Sequence, residues 1–264
     1  MPAYDFRTPR VYLDAPLAAG QAVSFDRAQA NYLLNVLRLK HGDALLLFNG
    51  RDGEWQARLA GTGKRAPTAV IGERMREQPR PSDLHFLFAP IKHARLDYLV
   101  QKAVEMGASR LQPVITRHTQ VARVNVERMR ANVIEAAQQC GILTLPEVAD
   151  PVAFKLAIAA PDAGRLLVFC DENAEVKDPV AALAQARPSA RALLPAEAAR
   201  AGLPLAVLIG PEGGFAEEER DALLKRPNVV RIALGPRILR ADTAAVAALA
   251  LVQAVLGDWR GGST

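Results

Sequence analysis

The sequence predicts a parallel α/β domain preceded by a smaller, mostly β unit. Three observations carry that expectation. From residue 84 to residue 256, short apolar runs closed by turn residues alternate with segments of helical period, as in a parallel sheet with crossover helices. The first 73 residues instead string together short β-rich runs separated by Gly-containing or charged turns, with one helical segment among them. Between the two, residues 74–83 carry Arg74, Arg76, Glu77, Arg80, Pro79 and Pro81 without an apolar period, so they read as a linker. The predicted organisation is a first domain over 1–73, a linker over 74–83 and a second domain over 84–264. The total of 264 residues also exceeds the usual size of one domain.

In the first domain, strand-like runs fall at Arg10–Leu13, Ala22–Phe25, Ala44–Phe48, Gly53–Ala60 and Thr68–Glu73. From Asp26 to Leu39, the apolar residues Ala30, Leu33, Leu34, Val36, Leu37 and Leu39 follow a helical period. Arg38, Lys40 and His41 close that segment, where the helix dipole favours cations. Strands with one helix suggest a compact barrel, a common nucleic-acid module, although a fold does not by itself assign a function.

In the second domain the first strand is Leu84–Phe88. A helix follows through Leu96, Leu99, Val100, Ala103 and Val104, then a strand at Leu111–Thr116, an amphipathic helix from Asn125 to Cys140 and a strand at Leu166–Cys170. Residues 171–204, rich in Ala and Pro, predict one or two surface helices. Two further strands, Leu205–Ile209 and Val229–Leu234, each end in a Gly-Pro turn, Gly210-Pro211 and Gly235-Pro236. Glu217, Glu218 and Glu219 open one helix with the acidic first turn its dipole prefers, and an alanine-rich helix follows Asp242-Thr243. The sheet should have about five strands.

Bulk properties narrow the function. The two cysteines, Cys140 and Cys170, stand in no paired or C-x-x-C arrangement, which disfavours a disulfide framework or structural zinc and suits a reducing cytoplasm. The four histidines form no metal-ligand spacing, so no metal is expected. The longest mostly apolar run, Ala244 to Leu256, is too short to span a bilayer, so no membrane partner is expected. A formal charge of +5 is compatible with nucleic acid. It is uneven, with a net of +4 in residues 1–80 and +5 in residues 84–130. A solvated cationic surface without a partner would look the same.

The two Gly-Pro loops carry the chemistry. Loops leaving the strands of an α/β sheet are where such sheets bind ligands. The run Gly210-Pro211-Glu212-Gly213-Gly214-Phe215 has three glycines that permit positive φ and close backbone approach. Arg237 and Arg240 precede a helix whose positive end discourages cations, while Asp242 can cap it. Misplaced cations point to an anionic ligand; the alternative is that they pair with Glu212, Glu217 or another acidic residue. Arg117 and His118, just after a strand end, are candidates for the same rim. No G-x-S-x-G elbow, Walker loop or G-x-G-x-x-G fingerprint is present.

These loops also carry a resemblance. Ile209-Gly210-Pro211-Glu212-Gly213-Gly214, with Leu234-Gly235-Pro236-Arg237-Ile238-Leu239-Arg240-Ala241-Asp242-Thr243-Ala244, resembles the C-terminal motif pair of the RsmE family, SPOUT-class methyltransferases of uridine N3 in 16S ribosomal RNA. Upstream, Val36-Leu37-Arg38 is similar to the family's V-L-R signature. Gln101-Lys102-Ala103-Val104-Glu105-Met106-Gly107 is similar to its Q-K-x-x-E-x-G helix, and Gln138-Gln139-Cys140-Gly141 to its E-Q-C-G-R. Gln138, Ile142 and Asp242 depart from the family's usual Glu, Arg and Glu.

The resemblance implies a PUA-like RNA-binding domain and a SPOUT domain tied in a C-terminal trefoil knot. It also implies S-adenosylmethionine as cofactor, a homodimer, and 16S RNA or the small ribosomal subunit as substrate. Cofactor contacts would come from Leu208, Ile209, Gly210, Glu212, Gly213, Gly214, Leu234, Gly235, Ile238 and Leu239. Arg240, Asp242 and Arg237 are the catalytic candidates. RNA contacts are expected from Arg7, Arg10, Arg38, Lys40, Lys64, Arg65, Lys92, Arg95 and Arg117. The competing readings are a SPOUT enzyme with another RNA target, whose N-x-G-x-x-x-R motif is absent from Ala89–Arg95, and a non-enzymatic ribosomal RNA-binding assembly factor.

Overall fold

A computed structural model of the chain describes residues 7–61, 67–121, 123–159, 164–175, 178–192 and 202–260. It divides into two compact units, one of residues 1–80 with 134–145 and one of residues 81–133 with 146–264.

The first unit is built on five strands, β1 (Arg10–Tyr12), β2 (Ala22–Ser24), β3 (Ala44–Phe48), β4 (Glu54–Gly61) and β5 (Thr68–Arg76). Their order is β1-β3-β4-β5-β2, with β1 and β2 at the edges. β1 runs parallel to β3 and the other pairings are antiparallel. Leu45, Leu47, Ala57, Leu59, Ala69 and Ile71 alternate inward to form its core with Leu33 and Phe25. Strand β5 continues through Arg74–Arg76, residues the sequence pattern assigns to the linker. The reason is Arg76, whose guanidinium is drawn inward by a buried carboxylate.

That carboxylate is Glu54. Arg76 donates from Nε to Oε2 at 2.7 Å and from Nη2 to Oε1 at 2.9 Å, and Arg10 donates from Nε to Oε1 at 2.5 Å. Burial pushes the Glu54 carboxyl up, but hydrogen bonds and charge from Arg76 and Arg10 outweigh it and leave it below the usual carboxylate range. Both arginines reach further, Arg76 Nη2 to the carbonyl of Gly141 at 2.9 Å and Arg10 Nη1 to that of Gln138 at 3.4 Å. Gln138 Oε1 accepts from the Tyr12 N–H at 2.9 Å, and Gln78 Nε2 donates to the Leu143 carbonyl at 3.2 Å. The Q-Q-C-G segment therefore completes the first unit. Arg10, expected on RNA, has a side chain only 4% exposed and is committed to this cluster, so it is not a phosphate contact.

The helix expected from Asp26 to Leu39 is shorter. A capping box, in which Asp26 accepts from the Gln29 N–H and Gln29 from that of Asp26, starts α1 (Arg27–Asn31). The chain then widens into a π-helical turn, Tyr32–Val36. Arg38 follows at φ 58°, in the left-handed region. The wider turn keeps Leu33 in the core while Leu37 and Leu39 still pack against it.

The second unit carries β6 (Leu84–Phe88), α2 (His93–Glu105), β7 (Arg110–Ile115), α3 (Val126–Cys140), β8 (Glu147–Val148), β9 (Val152–Ala153) and α4 (Phe154–Ala159). After these come β10 (Leu166–Cys170), α5 (Pro179–Ala192), β11 (Leu205–Ile209), α6 (Glu217–Leu224), β12 (Val229–Ile232) and α7 (Ala241–Val255). The last turns of α3 belong to the first unit. The sheet order is β12-β10-β11-β6-β7-β8, with β9 also on β7, and every pairing is parallel. Seven strands stand where about five were expected, because β8 and β9 have two residues each, too few to show a period.

One apolar cluster joins Leu87, Val114, Leu167, Phe169, Ala206 and Leu208 to Phe154, Phe215 and Leu223. Helix α7 is tied to the end of α2 by Gln253, which is fully buried. It donates to the Met106 carbonyl at 2.8 Å and accepts from the Asp258 N–H at 3.2 Å.

Candidate active site

Strands β12, β10 and β11 lie side by side, so their outgoing loops meet at one edge of the sheet. There they line a cavity of about 340 Å³, within the range of small-molecule sites, about 300–1,000 Å³. The β11 loop contributes Ile209, Gly210, Pro211, Glu212, Gly214 and Phe215. The β12 loop contributes Ala233 to Arg240, and α7 adds Ala241 and Ala244. The sequence-predicted residues Ile209, Gly210, Glu212, Gly214, Leu234, Gly235, Ile238, Leu239, Arg237 and Arg240 are all brought to this cavity.

Three predicted residues are not. Leu208 is buried in the apolar cluster beneath, because alternation along β11 points it into the core. Gly213 lies against His118, 3.3 Å from that residue's Cβ once a side-chain carbon is placed on the glycine. Asp242 sits in the first turn of α7 and accepts from the Thr243 N–H at 2.9 Å. The residue in the N-cap position is Arg240, which makes no side-chain capping bond. Asp242 therefore serves the helix start from inside it.

Local physics explains the first Gly-Pro loop. A Cβ on Gly210 would fall 2.6 Å from the Phe215 ring, and that ring packs edge-on against Phe169 at 5.1 Å. Gly210 is thus required by ring packing. Of the loop's three glycines only Gly214 takes a positive φ, at 69°. His118 Nδ1 lies 3.1 Å from the Gly214 carbonyl. The Arg117 N–H donates to Glu219 Oε1 at 2.9 Å, so the loop after β7 does reach this rim.

Arg237 and Arg240 are exposed and make no ion pair or hydrogen bond through their side chains among the described residues. The alternative that Glu212 or Glu217 neutralises them is not what is found; Glu212 lies 3.9 Å from Arg95 instead. Sequence reasoning missed the middle of the site, Cys170, Asp171 and Glu172 on the β10 loop and Arg220 on α6. The signal was available, since a loop after a parallel strand is a ligand position whatever its glycine content. Burial, then the adjacent Asp171 charge, pushes the Cys170 thiol up to about 12. It stays protonated and is no nucleophile.

A family model described as an RNA methyltransferase domain matches residues 78–253, and one described as an RNA methyltransferase PUA domain matches residues 25–72. A ribosomal RNA small subunit methyltransferase E of Rickettsia conorii is 30% identical over 245 residues, spanning 92% of this chain and 94% of that one. The chain belongs to the ribosomal RNA small subunit methyltransferase E family. It is therefore an RNA methyltransferase, with a PUA domain ahead of its catalytic domain, and the cavity lies within the catalytic domain.

Two solved structures extend the likeness. The family member of Neisseria gonorrhoeae, bound to S-adenosyl methionine, has a TM-score of 0.80 at 27% identity, covering 96% of this chain and 100% of that one. A methyltransferase of Legionella pneumophila, in complex with the bound cofactor SAM, gives 0.78 at 29% identity, covering 96% and 99%. Among the described residues no cluster of three or more His, Cys, Asp or Glu could hold a metal ion. No helix there is long and apolar enough to cross a membrane.

Proposed function

We propose that this enzyme methylates N3 of a uridine in 16S ribosomal RNA of the small subunit, with S-adenosylmethionine as donor. We place it in the cytoplasm as a homodimer whose C-terminal domain carries a trefoil knot. The observation that carries the reading is the cavity walled by both Gly-Pro loops of the family's motif pair. Its residues fit the cofactor. Ile209, Phe215, Leu234, Leu239 and Ala244 offer apolar surface for an adenine, and backbone groups at Leu234, Gly235 and Leu239 offer hydrogen bonds to its edge. Side chains of both charges suit the polar end.

S-adenosylmethionine supplies an electrophilic methyl group on a sulfonium. The chain's residues must then hold the uracil in line with that methyl, and loops fixed by the Phe215 packing supply such alignment. N3 is reached only when the base is out of its stack. As N3 loses its proton, charge builds on the uracil oxygens, and the free guanidinium of Arg240, with Arg237 beside it, stabilises that charge. Asp242 sits outside the cavity lining and is assigned to the helix start; Glu212, which lines the cavity, is the candidate base.

RNA capture is assigned to exposed Arg7, Arg38 and Lys40 in the first unit, and to Lys92, Arg95 and Arg117 in the second. Lys64 and Arg65, expected to join them, lie outside the described residues. Phosphate contacts of this kind make binding fall steeply with salt. The deciding experiment incubates the protein and S-adenosylmethionine with naked 16S RNA and with assembled small subunits, then maps methyl groups by mass spectrometry. One uracil base carrying a single methyl at N3 is expected; a methyl on a ribose oxygen, or none, refutes the reading.

A further inference from the structure

The cavity has three walls, and the family motifs account for two. Strand β10 lies between β12 and β11, so its outgoing Asp171-Glu172 forms the wall between the Gly-Pro loops. The two carboxylates there have separate tasks. Asp171, with a side chain 1% exposed, is a clamp: its Oδ2 accepts from Arg231 Nε at 2.7 Å and its Oδ1 from the Asn173 N–H at 3.1 Å. Arg231 also donates to the Asn173 carbonyl at 2.8 Å, and Arg220 Nε lies 3.1 Å from the same Oδ2. The loop is thus held to β12 and to α6.

Glu172 takes no part in that clamp. It lines the cavity, it is exposed, and it makes no hydrogen bond or ion pair among the described residues. Its Oε1 reaches within 3.1 Å of where a Cβ on Gly214 would lie, so the carboxylate stands over the β11 loop. Of the other acidic side chains at the cavity, Asp171 is saturated and Glu212 faces Arg95. Two unpaired guanidiniums, Arg237 and Arg240, belong to a different wall. One free carboxylate in a cavity whose other carboxylates are taken matches a ligand end that carries an ammonium.

We propose that Glu172 binds the α-ammonium group of S-adenosylmethionine, on a loop that the Asp171–Arg231 pair holds in place. This rests on the reading of the cavity as the cofactor site. An ammonium has three donors and a carboxylate accepts from them with charge assistance, which fixes the amino-acid end of the cofactor while the nucleoside end occupies the β12 wall.

The test is calorimetric titration of the wild type, Glu172→Gln and Glu172→Asp with three ligands: S-adenosylmethionine, S-adenosylhomocysteine, and methylthioadenosine, which lacks the amino-acid end. Glu172→Gln should weaken the first two about tenfold or more, the worth of one charge-assisted contact, and leave methylthioadenosine unchanged. Glu172→Asp should recover part of the loss. Unfolding midpoints should be unchanged, because Glu172 has no internal partner. Wild-type affinity of Glu172→Gln for S-adenosylmethionine overturns the assignment. Equal weakening of all three ligands also overturns it, by moving the contact to the ribose. A wild type that binds none of them overturns the cofactor reading as well.

Discussion

Arg10 separates two roles that one residue type can fill, and replacing it by methionine tests which one holds. Its side chain and that of Glu54 are each 4% exposed, whereas that of Arg76 is 19% exposed. Removing the carboxylate with Glu54→Ala strands two guanidiniums in the first unit's interior, a change that costs about 3–5 kcal/mol. Arg10→Met is milder, because Arg76 keeps both of its bonds to Glu54. The charge-assisted hydrogen bond to Glu54 is lost, about 1.5–3 kcal/mol, with the long one to the Gln138 carbonyl, and that loss is partly offset because Arg10 Nη2 is buried without a partner. The expected order of destabilisation is therefore Glu54→Ala, then Arg10→Met. Urea unfolding followed by the fluorescence of Trp55, on the same strand as Glu54, measures it. In parallel, the affinity of Arg10→Met for 16S RNA is measured across a salt series. A phosphate contact would remove about 0.7–0.9 from the slope of log affinity against log salt, and the buried role predicts an unchanged slope. An unchanged urea midpoint together with a flatter slope would refute the assignment. The same cluster sets an acid limit. Glu54 titrates below the usual carboxylate range in the folded state, so the unfolded chain binds more protons at acid pH. Its contribution is present above about 4.5 and is lost as pH falls through the folded value; Glu54→Gln should flatten that part of the stability profile.

Three further outcomes are expected. Gly107→Ala places a side chain at φ 79° and 2.8 Å from Gln253 Nε2, so it should cost about 1–2 kcal/mol for the left-handed backbone alone, plus whatever the α2–α7 tie loses, read as a lower urea midpoint. Arg38→Gly should keep or raise stability, since glycine accepts φ 58° freely, while weakening RNA binding and lowering its salt slope; lost stability with intact binding would make Arg38 a structural residue. Arg240→Ala should leave S-adenosylmethionine affinity within about twofold and slow single-turnover methylation by about 10²-fold or more, the scale seen when one charge-stabilising donor is removed. Unchanged single-turnover rates would remove Arg240 from the mechanism.

Where the chain obeys a period, its structure was legible. The apolar runs at Leu84–Phe88, Leu166–Cys170 and Leu205–Ile209 are strands with those limits, because buried parallel strands are written as continuous apolar runs. Both Gly-Pro loops reach the cavity for the same reason. Two failures share a cause, which is that a partner distant in sequence decided them. Arg76 looks like linker polarity until Glu54 is placed beside it, and Arg10 looks like a surface cation until the same carboxylate claims it. The π turn at Tyr32–Val36 is invisible to a 3.6-residue period. The loop after β10 was a ligand position by its place after a parallel strand, but that Asp171-Glu172 stands between the two Gly-Pro loops follows from the strand order, which sets β10 between β12 and β11. Gln138 shows the converse case: the motif around it was recognised, and only the bonds to Tyr12 and Arg10 reveal that it is there for the first unit.

That last placement bears on how the protein is made. The chain leaves the first unit near residue 80 and comes back to it for residues 134–145. A fragment ending at residue 80 would lack the carbonyls of Gln138, Gly141 and Leu143 to which Arg10, Arg76 and Gln78 donate. On a translating ribosome those contacts form only once residue 145 has emerged, about 3–13 s after residue 80 at ordinary elongation rates. The first unit of this enzyme, although its strands are encoded first, is completed only by a segment that is made after the second unit has begun.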